Sequence, residues 1–240
     1  MEKDYLQKDL IEEIQKRGIL RVGTTGDYKP FTYIENQKYI GYDIEISRLL
    51  AKALNVDIEF ITTTWKDISK DLENQKYDIA VGGISKNLER ENKFEMTDSY
   101  ITSGKCYLVR KGEENKYKSI ADVNNPNTII GVNIGGTNEE FVDKNFNRAK
   151  IIKYFDNLEV PKAVANKDVD VMITDSSEVN YYRNHNPKLE GSQTDTPFTK
   201  CEKAYMLPKG QKNFLIFVNN FLKDLDNQGE IKKLKDKYLK

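Results

Sequence analysis

Several polar and charged residues follow short apolar segments, where side chains able to act on a ligand would gather. Gly135 and Gly136 precede Thr137 and Asn138 between a predicted strand and a predicted helix. Two glycines let the backbone approach a ligand closely, and the first turn of a helix offers unpaired N–H groups to an anion. An ordinary tight turn is the alternative, and the spacing alone does not separate the two.

Two basic residues are candidates for binding a carboxylate. Arg90 follows the segment GGIS within ISKNLER, and Lys105 lies in TSGKC. A guanidinium can hold a carboxylate through two parallel hydrogen bonds, and an ammonium group adds a second positive charge. The alternatives are an arginine at a helix start that pairs with Glu89 or Glu91, and a solvated lysine. Spacing alone favours the alternative for Arg90.

Two acidic residues stand where a predicted strand, VDVMITD, runs into a predicted helix. Asp175 ends the strand and Glu178 is three residues further on, so both lie near one face of that helix. A ligand contact at Asp175 and a buried acid at Glu178 are one interpretation. The other is a helix cap at Asp175 with Glu178 completing a capping box.

Two aromatic residues, Tyr28 and Trp65, stand beside turn residues at predicted strand ends. Buried aromatic side chains usually belong to a core. The position at strand ends favours a second interpretation, in which both line a pocket for a ring.

Composition excludes several classes of protein. The chain has 240 residues with 38 Lys plus Arg and 38 Asp plus Glu, so its formal charge gives no general attraction to nucleic acid or an anionic membrane. No apolar run approaches the roughly 20 residues that span a bilayer, so we expect no membrane insertion. Aromatic residues make up 10%, which argues against disorder.

Metal and disulfide chemistry have little support in the sequence. With His185 as the single histidine, and with Cys106 and Cys201 outside any ligand-like cluster, we expect no metal site. Both cysteines fall near the predicted crossings between two lobes. A disulfide between them and two free thiols are both open, and free thiols are favoured.

The first 18 residues, MEKDYLQKDLIEEIQKRG, are charged and amphipathic and contain no apolar core of a signal peptide. Two interpretations fit: a cytoplasmic protein, or a mature exported domain whose leader has been removed.

Strands and helices alternate along the chain, which predicts largely parallel sheets with helices on both faces. The carboxyl ends of such strands form ligand sites, and the polar residues above lie at those ends. Strands are predicted within residues 19–26, 57–63, 77–85, 127–137, 150–155, 169–175 and 201–208. Helices are predicted within residues 6–17, 44–54, 65–73, 138–146, 158–168, 176–184, 214–227 and 230–240.

The alternation comes in two blocks separated by the polar stretch KGEENKYKSIADVNNPN. We therefore predict two lobes with the ligand cleft between them. Residues 1–107 plus 202–240 form the first lobe and residues 108–201 the second.

Three segments, taken in chain order, resemble the polar-amino-acid family of periplasmic solute-binding proteins. They are RVGTTGDYKPF, GYDIE, and YDIAVGGIS followed three residues later by ER. The resemblance covers nearly the whole chain. It implies an α/β fold of the periplasmic-binding-protein type II (venus flytrap) class, with mixed, mostly parallel sheets in two lobes. Five further segments resemble, more narrowly, the cyclohexadienyl dehydratases: TTTW, GGISKNLER, VNIGGTNE, MITDSSE and EKAYMLP. These enzymes of the same fold convert prephenate to phenylpyruvate and arogenate to phenylalanine.

The resemblance implies roles for matching residues. Glu178 matches the proton donor of the dehydratases, and Asn133 matches an active-site asparagine. Arg90 matches the carboxylate-binding arginine of the family, and Asp175 the residue that holds the amino group in amino-acid binders. Gly136 replaces a threonine that is common in those binders, which removes a hydroxyl contact and opens space.

The other implied substrate contacts complete the predicted cleft. An aromatic wall for the ring, an ammonium group for a carboxylate and backbone N–H groups come from Tyr28, Phe31, Trp65, Lys105, Gly83, Ser85, Gly136 and Thr137. Two departures from the dehydratases are SSE in place of more apolar residues before Glu178, and Cys106 beside Lys105. They put turnover and substrate preference in doubt.

The implied reaction expels hydroxide from the substrate ring as CO2 leaves, so it needs an acid and no base, cofactor or metal. We expect Glu178 to be that acid, with its pKa raised by burial. Asn133 would hydrogen-bond the leaving hydroxyl or the ring carboxylate. The partners are then small anions, with no nucleic acid, and the implied location is the periplasm, with the cytoplasm left open. Two alternatives remain: an amino-acid-binding protein for transport, and the ligand-sensing domain of a receptor.

Overall fold

The computed structural model of the protein describes residues 9–239 and contains two five-stranded sheets. The first sheet takes its strands from both ends of this range, and the second is built from its middle. The predicted α/β class with two groups of elements is confirmed.

The elements before the second sheet lie within residues 10–103. They are α1 (Leu10–Arg17), β1 (Ile19–Thr24), β2 (Asp27–Tyr28), β3 (Thr32–Glu35), β4 (Lys38–Ile40), α2 (Tyr42–Ala53), β5 (Asp57–Thr62), α3 (Ile68–Glu73), β6 (Ile79–Ala80), α4 (Leu88–Lys93), β7 (Phe94–Met96) and β8 (Ile101–Ser103).

The second sheet and its helices follow, and the chain then returns to the first sheet. The middle elements are β9 (Lys105–Arg110), α5 (Ile120–Val123), β10 (Ile129–Asn133), α6 (Thr137–Asn145), β11 (Lys150–Tyr154), α7 (Glu159–Asn166), β12 (Val171–Asp175), α8 (Ser176–His185) and β13 (Leu189–Ser192). The returning elements are β14 (Cys201–Lys203), β15 (Met206–Pro208), α9 (Lys212–Asn227) and α10 (Glu230–Tyr238).

Both sheets are mixed. The first has the order β5-β1-β6-β15-β7 and the second β11-β10-β12-β9-β13. In each, the first three strands are parallel and the last two pair antiparallel. Parallel and antiparallel pairings are thus equally frequent in these two sheets. The antiparallel neighbour of the βαβ core is the returning strand β15 in the first sheet and the entering strand β9 in the second.

The alternation of side chains along β9 shows how the second sheet is buried on both faces. Cys106 and Leu108 pack into one apolar cluster with Val160 of α7, while Tyr107 and Val109 pack into another on the opposite face. Successive side chains of a strand point to opposite faces, so a continuous apolar run is the pattern of a strand covered on both sides.

Helix ends follow local signals. Gly18 ends α1 at φ 73°, where the sequence predicts a stop, and the side chain of Asp9 caps the start of the helix by accepting from Ile11 N. Leu6, assigned to this helix, lies outside the described residues. Pro161 stands in the first turn of α7, where proline is tolerated. None of the helices within residues 9–239 has the length and apolar character to cross a membrane.

A two-stranded antiparallel ribbon, β8 with β14, joins the two sheets and pairs Ser103 with Cys201. The predicted boundaries at residues 107 and 202 stay a prediction; in the structure, β9 already belongs to the second sheet from Lys105. Cys106 and Cys201 are free thiols, so the alternative of a disulfide is not realised.

Candidate functional site

A polar cleft lies between the two sheets, where strands and loops of both end. About 20 Å³ of space remains inside it, enough for one or two water molecules, so the lobes are closed on each other. The cleft is lined by Tyr28, Trp65, Gly83, Ser85, Arg90, Asn133, Gly136, Thr137, Asn138, Asp175 and Lys203.

Asp175, at the end of β12, is the electrostatic centre of the cleft. Its carboxylate accepts hydrogen bonds from Lys105 Nζ at 2.8 Å, Lys203 Nζ at 2.5 Å and Tyr28 Oη at 2.9 Å. Burial alone would raise the pKa of Asp175, but the two ammonium groups outweigh it and hold the pKa well below its usual range. Asp175 is therefore an ionised, fully paired carboxylate.

Lys105 orients the amide of Asn138 from behind the cleft. Its Nζ lies 2.5 Å from Asn138 Oδ1 and 3.0 Å from Thr137 Oγ1. An ammonium group only donates, so it fixes which end of the amide is the oxygen. The Nδ2 group of Asn138 then donates to Asn133 Oδ1 at 2.9 Å and to Thr174 Oγ1 at 3.2 Å.

Glu178, in the first turn of α8, is fully buried behind the lining of the cleft. Its Oε2 lies 2.6 Å from Thr174 Oγ1, and its Oε1 accepts from Asn157 Nδ2 at 2.6 Å. A chain of hydrogen bonds thus runs from Asn133 through Asn138 and Thr174 to Glu178. The capping-box alternative is not realised, because the side chain of Asp175 caps no N–H group of α8.

The surroundings of Glu178 favour its protonated form. Burial raises its pKa well above the usual range, the carboxylates of Asp27 and Asp175 act in the same direction, and the hydrogen bonds from its neighbours only partly oppose this. In the described part of the chain no lysine or arginine pairs with it, since Lys105 and Lys203 bond Asp175.

Arg90 lies in α4 and reaches the cleft edge. Its Nη1 donates to the carbonyl oxygen of Ser85 at 2.6 Å. The alternative of pairing with its neighbours is not realised, because Glu89 bonds Lys93 and Glu91 bonds Lys86. Its guanidinium keeps donors for an anionic ligand.

The two glycines before α6 have different roles. Gly135 adopts φ 90°, and a Cβ there would come within 2.6 Å of Lys66 N in the first lobe. Gly136 faces the cleft, and a Cβ there would make ordinary contacts at 3.7 Å with Trp65 and 3.8 Å with Asn133. Gly135 therefore makes the tight turn, and the next residue, Gly136, faces the cleft.

The aromatic wall has two layers. Tyr28 and Trp65 line the cleft with ring centroids 5.5 Å apart in an edge-to-face arrangement. Phe31 stacks on the far side of Tyr28 at 5.5 Å and is completely buried. Phe31 supports the wall and does not line the cleft.

The backbone N–H of Gly83 is not the ligand donor that the sequence suggested. It donates to Asp43 Oδ2 at 2.7 Å, and the neighbouring Gly82 N donates to the same oxygen at 3.0 Å. Gly83 has φ 69°, and a Cβ there would come within 2.6 Å of both Tyr28 and Phe31. Its glycine is required for close packing against the aromatic wall.

Of the twelve residues predicted for the site, nine line the cleft and three lie behind its lining. Those behind are Phe31, Lys105 and Glu178. Sequence reasoning missed Asn138 and Lys203 among the lining residues. Asn138 was visible in the GGTN motif, whereas Lys203 enters only because β14 returns beside β8.

The family model for bacterial extracellular solute-binding proteins, family 3, matches residues 20–240. The chain is similar to the cyclohexadienyl dehydratase of Pseudomonas aeruginosa, with 32% identity over 97% of this chain and 87% of that protein.

Two solved structures extend the comparison. An ancestral amino acid-binding protein, AncCDT-1, described as a precursor of cyclohexadienyl dehydratase, has a TM-score of 0.89 and 36% identity over 96% of this chain and 100% of that one. A variant of an ancestral cyclohexadienyl dehydratase, AncCDT-3, has a TM-score of 0.61 and 45% identity over 97% of both chains.

Proposed function

The chain belongs to family 3 of the bacterial extracellular solute-binding proteins, and from that premise we propose that it is a cyclohexadienyl dehydratase acting on prephenate and arogenate. The family includes both carriers and an enzyme, so the choice depends on the site. The observation that carries the proposal is Glu178: a buried carboxyl with no cationic partner among the described residues, linked through Thr174 and Asn138 to the cleft. The resemblance implies that amino-acid carriers of the family tend to lack an acid at this position.

The proposed reaction is a decarboxylating dehydration. The bond between the ring and its carboxylate breaks and CO2 leaves, while the electron pair of that bond completes the aromatic ring. The C–O bond to the ring hydroxyl breaks, and a proton from Glu178 converts the departing hydroxide to water. Glu178 ends as a carboxylate and regains its proton from solvent once the lobes part.

The route of the proton follows the hydrogen bonds. In the proposed route, Glu178 Oε2 gives its proton to Thr174 Oγ1, 2.6 Å away, which reverses the hydrogen bond that Thr174 donates to an ionised Glu178. As it accepts this proton, the Thr174 hydroxyl gives up its own toward the leaving hydroxide. Asn138 Nδ2 donates to the same oxygen and holds the hydroxyl in place. A general acid positioned in this way typically contributes about 10²–10⁴-fold to the rate.

The charges of the site favour prephenate over arogenate. Among the residues that line the cleft, Asp175 is the one carboxylate. Three cations stand in or beside the cleft, namely Arg90, Lys105 and Lys203. Because both lysines already pair with Asp175, that carboxylate is poorly placed to receive the ammonium group of arogenate. The excess positive charge suits the two carboxylates of prephenate, so we propose a higher kcat/KM for prephenate.

The experiment that tests the proposed function is Glu178→Gln, with ultraviolet detection of phenylpyruvate formed from prephenate. Glutamine keeps the shape and can bond both Asn157 and Thr174, but it has no acidic proton, so we expect kcat to fall by about 10²–10⁴-fold. Glu159→Gln, at a carboxylate of the same lobe outside the cleft lining, is the matched control and should keep the parent rate. Parent-like turnover in Glu178→Gln contradicts the assignment.

A second candidate is an amino-acid-binding protein without catalysis, favoured by the similarity to the ancestral amino acid-binding protein AncCDT-1. Calorimetry with a panel of amino acids separates the two. Tight binding of one of them together with no phenylpyruvate from prephenate would support the carrier. We place either protein in the periplasm, in keeping with a family of extracellular proteins.

A further inference from the structure

Asn157 is a buried residue between β11 and α7 that contacts both Glu178 and the opposite lobe. Its Nδ2 donates to Glu178 Oε1 at 2.6 Å and to the backbone carbonyl of Asp27 at 3.1 Å. Its backbone N–H donates to Asp27 Oδ2 at 3.3 Å. Asn157 is completely buried and does not line the cleft, so direct contact with substrate does not account for it.

The orientation of this amide is fixed by chemistry. A backbone carbonyl only accepts hydrogen bonds, so the amide atom beside Asp27 O must be the nitrogen. Both hydrogens of Asn157 Nδ2 are then used, one on Asp27 and one on Glu178. The amide oxygen, Oδ1, is buried and makes no hydrogen bond within the described residues.

This orientation determines which oxygen of Glu178 carries the acidic proton. Oε1 receives a hydrogen from Asn157, so it is the carbonyl oxygen of the protonated acid. The proton is then left on Oε2, where it would be donated to Thr174 Oγ1 at 2.6 Å, reversing the hydrogen bond that the Thr174 hydroxyl donates to an ionised Glu178. Thr174 is buried and connects to the cleft through Asn138, which lines it. Thr174 Oγ1 can accept from both Glu178 and Asn138, and its own hydrogen remains for donation.

The same amide depends on the lobes being closed. Asp27 belongs to β2 of the first lobe, whereas Asn157 and Glu178 belong to the second. Asp27 also accepts from Trp65 Nε1 at 3.0 Å, which connects the contact to the cleft wall. Parting the lobes removes both bonds from Asn157 to Asp27 and frees the amide to turn.

We propose that Asn157 is a positioning residue that fixes the acidic proton of Glu178 on Oε2 when the lobes close. The inference deepens the proposed function and rests on it. Closure of the lobes over a substrate then fixes the proton of Glu178 on Oε2. When the lobes are open, the proton is not fixed on either oxygen. The titratable groups around Glu178 are Asp27, Asp175, Tyr28, Tyr182 and Cys106, of which Asp175 is held ionised by two lysines.

The kinetic test is a cycle of Asn157→Ala and Glu178→Gln. Misdirecting an acid without touching the binding groups should lower kcat on prephenate by an amount on the order of 10²-fold while KM changes little. In the Glu178→Gln background the same substitution should cost almost nothing, because the acid it positions is gone. An equal loss in both backgrounds, or a KM that rises as kcat falls, overturns the proposal.

Two further variants guard against a folding defect. Asn157→Asp keeps the shape but replaces the donor nitrogen with oxygen, so it should lose activity like Asn157→Ala; parent-like kcat there contradicts the inference. Asn145→Ala is the control, since that amide donates to Phe141 O at 2.8 Å in the same lobe and does not contact Glu178. It should keep the parent kcat.

Infrared spectroscopy tests the inference without turnover. The carbonyl band of protonated Glu178 is the band that disappears in Glu178→Gln, and in Asn157→Ala it should move to higher frequency because its oxygen loses a hydrogen bond. An unmoved band overturns the positioning role. If the band shifts in Asn157→Ala but the parent protein makes no phenylpyruvate, the dehydratase proposal is refuted, while the contact between Asn157 and Glu178 stands.

Discussion

Asp43 is a carboxylate in the first turn of α2 that organises the floor of the cleft. It is fully buried and accepts hydrogen bonds from Gly82 N, Gly83 N, Tyr100 Oη and Tyr205 Oη. Burial raises its pKa from 3.8 to about 6, although these four donors oppose the shift. A cleft loop and two tyrosines near the connecting ribbon thus depend on one acid.

The sign of this shift predicts how stability depends on pH. The folded protein holds the Asp43 proton more tightly than the unfolded chain, so the contribution to stability is full below about pH 4 and is lost as pH rises through 6. The shift corresponds to roughly 3 kcal/mol. In urea unfolding, Asp43→Asn should therefore gain about 3 kcal/mol relative to the parent between pH 4 and pH 7.

The exposed Asp195→Asn is the control for this measurement and should show a much smaller change. A constant difference in unfolding free energy between the parent and Asp43→Asn across this pH range contradicts the prediction.

The residue types singled out in the sequence lie together in the structure, but the directions of their contacts were not foreseen. Arg90, Asp175 and Glu178 were identified as candidates from their positions after strands, and their expected roles came from the family resemblance. The direction of the Gly83 N–H was not foreseen, because a buried acid 40 residues away in sequence takes it. Lys203 and Asn157 act through contacts between distant segments. Lys203 lies within the quoted segment EKAYMLP, but nothing local shows that it reaches Asp175, and no local pattern marks Asn157.

The start of α6 is the element on which substrate size should depend. Its N-cap Gly136 faces Trp65 across the cleft, and a Cβ there makes only ordinary contacts. We predict that Gly136→Ala keeps most of the activity. Gly136→Thr adds a methyl and a hydroxyl where the substrate ring must fit, and it should lower kcat/KM for prephenate by about 10–100-fold.

Steady-state kinetics on the two Gly136 variants and the parent checks this order. Equal activity of the alanine and threonine variants would show that the substrate ring does not bind next to residue 136. A gain in amino-acid affinity in Gly136→Thr, measured by calorimetry, would agree with the role that threonine is expected to have in the binding proteins.

At the scale of elements, sequence periodicity identified the βαβ order but not every pairing. β1, β5 and β6 follow one another with helices between them, which determines their parallel register. The antiparallel pairing of β15 with β7 arises only because the chain returns after the second lobe. Trp65 was assigned to a helix that begins at Ile68, and its place in the preceding loop is what lets it reach the cleft.

For the whole molecule, closure brings Trp65, the single tryptophan of the chain, against the second lobe. Its fluorescence should change saturably when phenylpyruvate, an aromatic anion, is added. Arg90→Met removes a charge-assisted contact worth about 1.5–3 kcal/mol, so we expect the apparent Kd to rise by roughly 10–100-fold.

Arg148→Met, at an exposed arginine outside the cleft lining, should titrate like the parent. An unchanged Kd in Arg90→Met would show that the anion is held elsewhere.

The cleft with about 20 Å³ of remaining space has a kinetic consequence. That space holds one or two water molecules, so a substrate fits only after the lobes move apart. For the proposed dehydratase, each cycle then includes one opening and one closing of the lobes in addition to bond breaking. However fast the chemical step becomes, the frequency of these rearrangements sets the ceiling on turnover, and substitutions in the connecting ribbon can change the rate without contacting a reacting atom.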